Sequence, residues 1–203
     1  MDKQNLLKRI ADTAYNVGFG AKKHFATFDI VDKAPGWIGF ISLTVGVFAL
    51  YLDTLATKHI SAMLVVLGIA GLLINTYGES KQQYESKGVL LTNLFNRLKT
   101  LYFSVKSSNN SDFSAEIIEL ERIELEFNSN GISKQILFSD WYAHYKFFWQ
   151  HQIEWIDEQK HFRFWRDKIP LSLSVVVVCI FLLAGAIVVY HLYSICVEKI
   201  SSA

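Results

Sequence analysis

Five residues of one stretch carry side chains able to do chemistry. Asp140, His144, His151, Glu154 and Glu158 fall along one stripe if 134–168 is a continuous helix. Carboxylates and imidazoles on a helix face build a metal site when a second helix supplies partners. The glutamate-rich segment 115–127 offers Glu116, Glu119, Glu121, Glu124 and Glu126. The spacing, however, contains no Glu-x-x-His or His-Glu-x-x-His pattern, so the stripe reads as a solvated polar face and no metal is assigned. Trp141, Tyr145, Trp149 and Trp155 form an aromatic cluster followed by Arg163, Arg166 and Lys168. Aromatic faces and cations together can grip a nucleotide. The same residues also read as core aromatics leading into a basic membrane flank. No phosphate-binding glycine loop and no Ser/His or Cys/His nucleophile pattern is present, so no catalytic or cofactor-binding residue is assigned and the chain reads as a non-enzyme.

The other residues of interest are small ones inside apolar runs. Gly36–Leu52 reads GWIGFISLTVGVFALYL, His59–Gly78 reads HISAMLVVLGIAGLLINTYG, and residues 169–195 form a third long run. A spanning helix needs ~20 predominantly apolar residues. Backbone amides in hydrocarbon must bond within their own segment, so each run is expected to be helical. On the first run Gly39, Ser42, Gly46 and Ala49 share one side of a helix. On the second, Ser61, Gly68, Gly71 and Asn75 do the same, with Gly78 beyond them. Small residues let spanning helices approach closely. Two readings stand: the faces seal the hairpin against each other, or one of them lines an oligomeric pore. Neither run contains a charge, which disfavours a proton relay, voltage sensor or ion-coupled transporter.

These elements define the organisation. The expected fold class is an all-α membrane protein: a transmembrane hairpin, a cytoplasmic helical bundle and a third, C-terminal transmembrane helix. The segments are an N-terminal cytoplasmic helix at 1–35, a hairpin at 36–78 (spans 36–52 and 59–78), a cytoplasmic helical region at 79–168, a third span at 169–195, and a short outer tail at 196–203. Leu6, Ile10, Thr13/Ala14 and Val17 recur at helical spacing, with a loosening expected at Gly18 and Gly20 and punctuation at Pro35-Gly36. The second span is expected to run on into a helix over 79–106. There Leu91, Leu94, Leu98, Leu101 and Val105 form a 3-4 seam suited to a partner helix. A turn at 107–111 leads to an amphipathic helix bearing Phe113, Ile117, Leu120, Ile123 and Phe127, with Gly131 as a left-handed cap. Residues 134–168 follow as one long helix.

The chain has 203 residues, 51% hydrophobic, and a formal net charge of +1. That balance offers no polybasic surface for a nucleic-acid polymer. Eighteen of the 20 Lys and Arg residues lie in 1–35 and 79–168. By the positive-inside rule those regions are cytoplasmic and the C-terminus is outside. Cys179 and Cys196, both near the third run, suggest neither a disulfide framework nor a metal site.

The order of these elements resembles the SLATT family, the two-transmembrane effector domain associated with SMODS nucleotidyltransferases and SLOG nucleotide sensors. The resemblance covers roughly 1–168. It rests on AYNVGFGAKKHFATFDIVDKAPGWIGFISLTVGVFALY, which runs from helix into first span, and on the helix from Glu79 to Val105. The resemblance implies a bacterial conflict effector of the inner membrane. Such an effector oligomerises and permeabilises the membrane when a nucleotidyltransferase or nucleotide-sensor partner is activated. A non-conducting membrane anchor that scaffolds a soluble partner is the alternative.

Overall fold

The computed structural model describes residues 1–110 and 112–201, and of 191, 192 and 194–201 the backbone alone; Ser111 of the turn cluster and the Cys196 side chain lie outside the described residues. Its helices are α1 Lys3–Phe48, α2 Lys58–Asn75, α3 Lys81–Ser107, α4 Ser114–Ser129, α5 Ser139–Gln150, α6 Glu154–Lys160, α7 Phe164–Asp167 and α8 Leu171–Ser201, with a 3-10 turn at Gly78–Ser80. No strand occurs among the described residues. Residues 1–161 form one compact unit and 162–203 a second. Among the described residues three helices are long and apolar enough to cross a membrane: α1, α2 and α8.

Helix α1 starts where Asp2 caps it, accepting a hydrogen bond from the Asn5 N–H at 2.7 Å. Leu6, Ile10, Ala14, Val17, Ala21, His24, Thr27 and Val31 then follow every three or four residues, and all are buried. This stripe is the centre of a helical bundle. The helix does not stop at Pro35: it continues to Phe48 as one element of 46 residues, about 69 Å at ~1.5 Å per residue. The expected break at Pro35-Gly36 is therefore absent. A proline forfeits one intrahelical hydrogen bond, whereas ending the helix at a membrane surface would strand several backbone groups.

Nor is α1 loosened at Gly18 and Gly20. Gly18 serves close packing: a Cβ there would lie 2.8 Å from the Phe95 ring and 2.9 Å from the Phe147 ring. Helix α3 runs antiparallel beside it. Lys81, Gly88 and Phe95 of α3 meet Asp32, Phe25 and Gly18 of α1, seven residues per step on both helices. That repeat is the antiparallel counterpart of a coiled-coil seam. Leu91, Leu94, Leu98, Leu101 and Val105 are all buried on it, as their spacing predicts. Between α2 and α3 the backbone turns at Thr76–Ser80, so the second span is not continuous with α3.

Helix α4 buries Leu120 and Ile123 and is tied down by charge. Arg9 reaches Glu124 at 2.6 Å, and Arg97 holds Glu119 at 2.8 Å and Glu126 at 3.0 Å. Gly131 has no positive φ, so it is not the left-handed cap; Asn130 closes α4 with φ −117°. The long helix expected over 134–168 is three short ones. Its chain is extended at His151 and left-handed at His161, with φ 49°. The break at His151 turns the chain, so Phe147 and Trp155 both reach the Phe95 side of the bundle: Trp155 lies 5.6 Å from the Phe95 ring, and His151 lies 4.7 Å from it.

Two outcomes follow from this packing. Gly18→Ala should lower the thermal midpoint in detergent by several degrees, because overpacking costs ~1–3 kcal/mol. Gly20→Ala should leave it unchanged or raise it, since the nearest atoms lie at 3.4 Å and alanine favours the helix. Burial, with the charges of Lys22 and Lys99, holds the His151 imidazole down at about 4 against only a small opposing pull from Glu154. Between pH ~6.5 and 4 the unfolded chain therefore takes a proton that the native one refuses, and stability should fall as pH falls through that window. Replacing His151 by Asn should make that fall shallower, leaving the share of His24, whose imidazole burial also holds down.

Candidate functional site

The hairpin is the part of the first unit that would meet lipid, and its sides are chemically unlike. The connection between spans is residues 49–57, longer than the sequence suggests, because α1 unwinds after Phe48 through turns at Leu50–Leu52. Thr57 caps α2 by accepting from the Ile60 N–H at 3.4 Å. On α1, Ile38, Ser42 and Val45 are half-buried, as is Ala49 just past its end; on α2, Ile60, Leu64, Leu67, Gly71 and Ile74 are half-buried. These positions follow the 3-4 rhythm of a helix pair. A Cβ on Gly71 would touch Ile38 at 3.8 Å, which places that glycine on the seam.

The remaining small residues lie one position on from the seam. Gly39 and Gly46 follow Ile38 and Val45; Ser61, Gly68 and Asn75 follow Ile60, Leu67 and Ile74. One residue is a rotation of about 100° around a helix. All five are exposed, and a Cβ added to Gly39, Gly46 or Gly68 would meet nothing within 4 Å. The Ser61 hydroxyl donates to the Thr57 carbonyl at 3.2 Å and so is satisfied inside its own helix. The eight small residues thus divide: Ser42, Ala49 and Gly71 sit on the half-buried side, and Gly39, Gly46, Ser61, Gly68 and Asn75 form two narrow, unfilled stripes. Around them Phe40, Leu43, Val65 and Leu72 project outward.

The polar stripe of 140–158 does not exist as one face, because the helix is interrupted between His151 and Glu154. Asp140 pairs with Lys23 at 2.7 Å. His144 packs edge-on to Phe19 with centroids 5.1 Å apart. Glu158 accepts from Tyr102 at 2.9 Å and from Lys106 at 2.5 Å. Among the described residues no three of His, Cys, Asp or Glu are placed to hold a metal ion. The aromatic cluster is likewise divided: Trp155 is buried in the bundle, whereas Tyr145 and Trp149 are exposed. Arg166 of α7 pairs with the neighbouring Asp167 at 3.0 Å.

One site residue, Asp29, is only half visible in the spacing. Asp29, six residues before Pro35, is bonded to Lys33 at 2.7 Å and to Lys146 of α5. Burial alone would raise the Asp29 carboxyl, but the two ammonium groups outweigh it and hold it below its ordinary range. The Asp29–Lys33 half is an i,i+4 pair readable in the sequence. The Lys146 half joins residues 117 apart and is readable only in the fold. Together with Lys81–Asp32 at 2.8 Å, it clamps α1 to α5 and α3 where the bundle ends and the span begins.

No curated protein and no solved structure matches this chain. A family model described as SMODS and SLOG-associating 2TM effector domain 6 matches residues 1–177, from the start of α1 to the seventh residue of α8. The match therefore takes in the bundle and the hairpin and leaves most of the third apolar helix beyond it. With an all-helical bundle built around the base of a two-span hairpin, and a match over most of its length, the chain belongs to the SLATT family of membrane effector domains.

Proposed function

We propose that this protein is a conflict effector of the bacterial inner membrane that assembles through its hairpin and permeabilises the bilayer, acting without catalysis. The carrying observation is the pair of exposed small-residue stripes, Gly39/Gly46 and Ser61/Gly68/Asn75, which no residue of their own hairpin fills. In lipid, close helix contact is gained mainly through packing at such small residues. A second copy supplies the missing surface. The charge distribution supports a topology with the N-terminus and bundle cytoplasmic and the C-terminus outside.

The continuity of α1 supports a route for the signal. Its first turns are core of the bundle and its last turns are span, so a change in bundle packing reaches the hairpin through one helix. The family description names SMODS and SLOG association, which supports a nucleotidyltransferase or nucleotide-sensor partner as the source of the signal. A non-conducting anchor is the second reading, favoured by exposed Ile118 and Leu125 on α4, a face suited to holding a soluble protein.

Inducible expression in a bacterium with a membrane-potential dye separates the two. The effector predicts depolarisation and growth arrest that depend on the partner or its messenger. A steady potential despite confirmed insertion would leave the anchor. In the same cells, Gly46→Leu combined with Gly68→Leu should abolish both depolarisation and cross-linked oligomers. Unchanged oligomers in that double variant would remove the packing claim.

A further inference from the structure

A cleft of about 400 Å³ opens beside the bundle-side end of α2, a size typical of small-ligand pockets. Ile30 of α1 forms one wall, and Ala70, Leu73 and Ile74 of α2 form another. The third wall is the connection between α4 and α5, with Ile136, Leu137 and Phe138. Tyr77 and Lys134 are at its polar edge, the Lys134 ammonium lying 4.8 Å from the Tyr77 ring centroid. No carboxylate pairs with Lys134 among the described residues.

We propose that this cleft holds one anionic phospholipid of the bilayer, with an acyl chain against Ile30, Leu73 and Ile74 and its phosphate at Lys134. Three observations select a lipid. Ala70, Leu73 and Ile74 are in the last turns of a helix apolar enough to cross a membrane, so in a bilayer the cleft would open near the boundary between acyl chains and headgroups. Tyr77 lies two residues past the end of that helix, where aromatic rings mark a membrane–water boundary. Leu137 and Phe138 are 74% and 55% exposed, adjacent apolar side chains beside the cleft that water would penalise and lipid would not.

The backbone is built to keep that pair in place. Phe138 has φ 68°, the left-handed region that bulky side chains rarely adopt. Its neighbours fix the turn: the Ser139 N–H donates to the Ile136 carbonyl at 3.1 Å, and the Tyr84 hydroxyl donates to the Lys134 carbonyl at 2.6 Å. On the other wall, the Thr76 hydroxyl donates to the Leu73 carbonyl at 2.7 Å, so the last turn of α2 does not leave that acceptor bare toward the ligand. Lysine is a compact cation with three donors, suited to a phosphate without further selectivity for its substituent. The inference rests on α2 spanning the bilayer and requires no pore.

The test is photo-cross-linking of the full chain in nanodiscs containing phosphatidylglycerol that carries a diazirine near the middle of one acyl chain. Labelled peptides should concentrate on 70–77 and 136–138. Lys134→Glu should reduce that labelling at least about fivefold, and unlabelled phosphatidylglycerol should compete where phosphatidylcholine does not. Ala70→Phe, which fills the wall without touching the charge, should reduce it as well. Helical circular dichroism and the chromatographic profile of each variant establish that it is folded. Labelling spread evenly over all three apolar helices, or equal competition by phosphatidylcholine, would each overturn the proposal. Because the readout is lipid contact, it can succeed when depolarisation fails, and the reverse.

Discussion

A single uninterrupted helix is the constraint on which this structure depends. From Lys3 to Val31 α1 must satisfy the bundle, offering a buried stripe to α3, α5 and α6 on several sides. Over its last turns it must satisfy a bilayer, with no polar group left to bond water. Both demands fall on one backbone, and Pro35 lies near their boundary without ending it. Gly18 is the point where the first demand is tightest, since two aromatic rings from α3 and α5 occupy the space a side chain would need. The charge clamp at Asp29 and Asp32 holds the same helix just before it leaves the bundle. Whatever turns or tilts α1 within the bundle therefore acts on the span directly.

The two halves of the first unit are held by different physics. In the bundle, apolar side chains are withdrawn from water, and the ion pairs of Arg9 and Arg97 orient α4 while remaining partly solvated, where each contributes little. In the hairpin, burial from water drives nothing, because lipid is as apolar as leucine. What remains there is packing, and the hairpin seam is made of half-buried aliphatic residues with one glycine, Gly71, against Ile38. The small stripes next to that seam leave packing unmade. This contrast explains why a tightly determined bundle is joined to a hairpin whose outer faces still have surface to offer.

Much of this was legible in the chain. Run length and composition gave the apolar helices, and the leucine spacing of 91–105 gave a seam that is buried as expected. Local rules make glycine and proline breakers or caps at Gly18, Gly20, Pro35 and Gly131, whereas tertiary packing and the cost of exposed backbone decide what each does. Conversely, 134–168 contains no breaker yet folds as three short helices, and the turn at His151 lets Phe147 and Trp155 both pack in the bundle near Phe95, which one straight helix would not allow. Side-chain pairs across more than 100 residues, such as Asp29 with Lys146, leave no trace in local spacing. The eight small hairpin residues were legible as small faces, but their division into a seam and two exposed stripes depends on the rotation of each helix, which the sequence does not determine.

Assembly depends on which hairpin face meets another copy. Single cysteines should be introduced at Gly46, Gly68 and Gly71 in a chain with Cys179 and Cys196 replaced by serine, then oxidised in native membranes. Disulfide-linked dimers should form from Gly46→Cys and Gly68→Cys, with few or none from Gly71→Cys, which faces its own partner span. Dimers formed equally from Gly71→Cys, or none from the exposed positions, would contradict it.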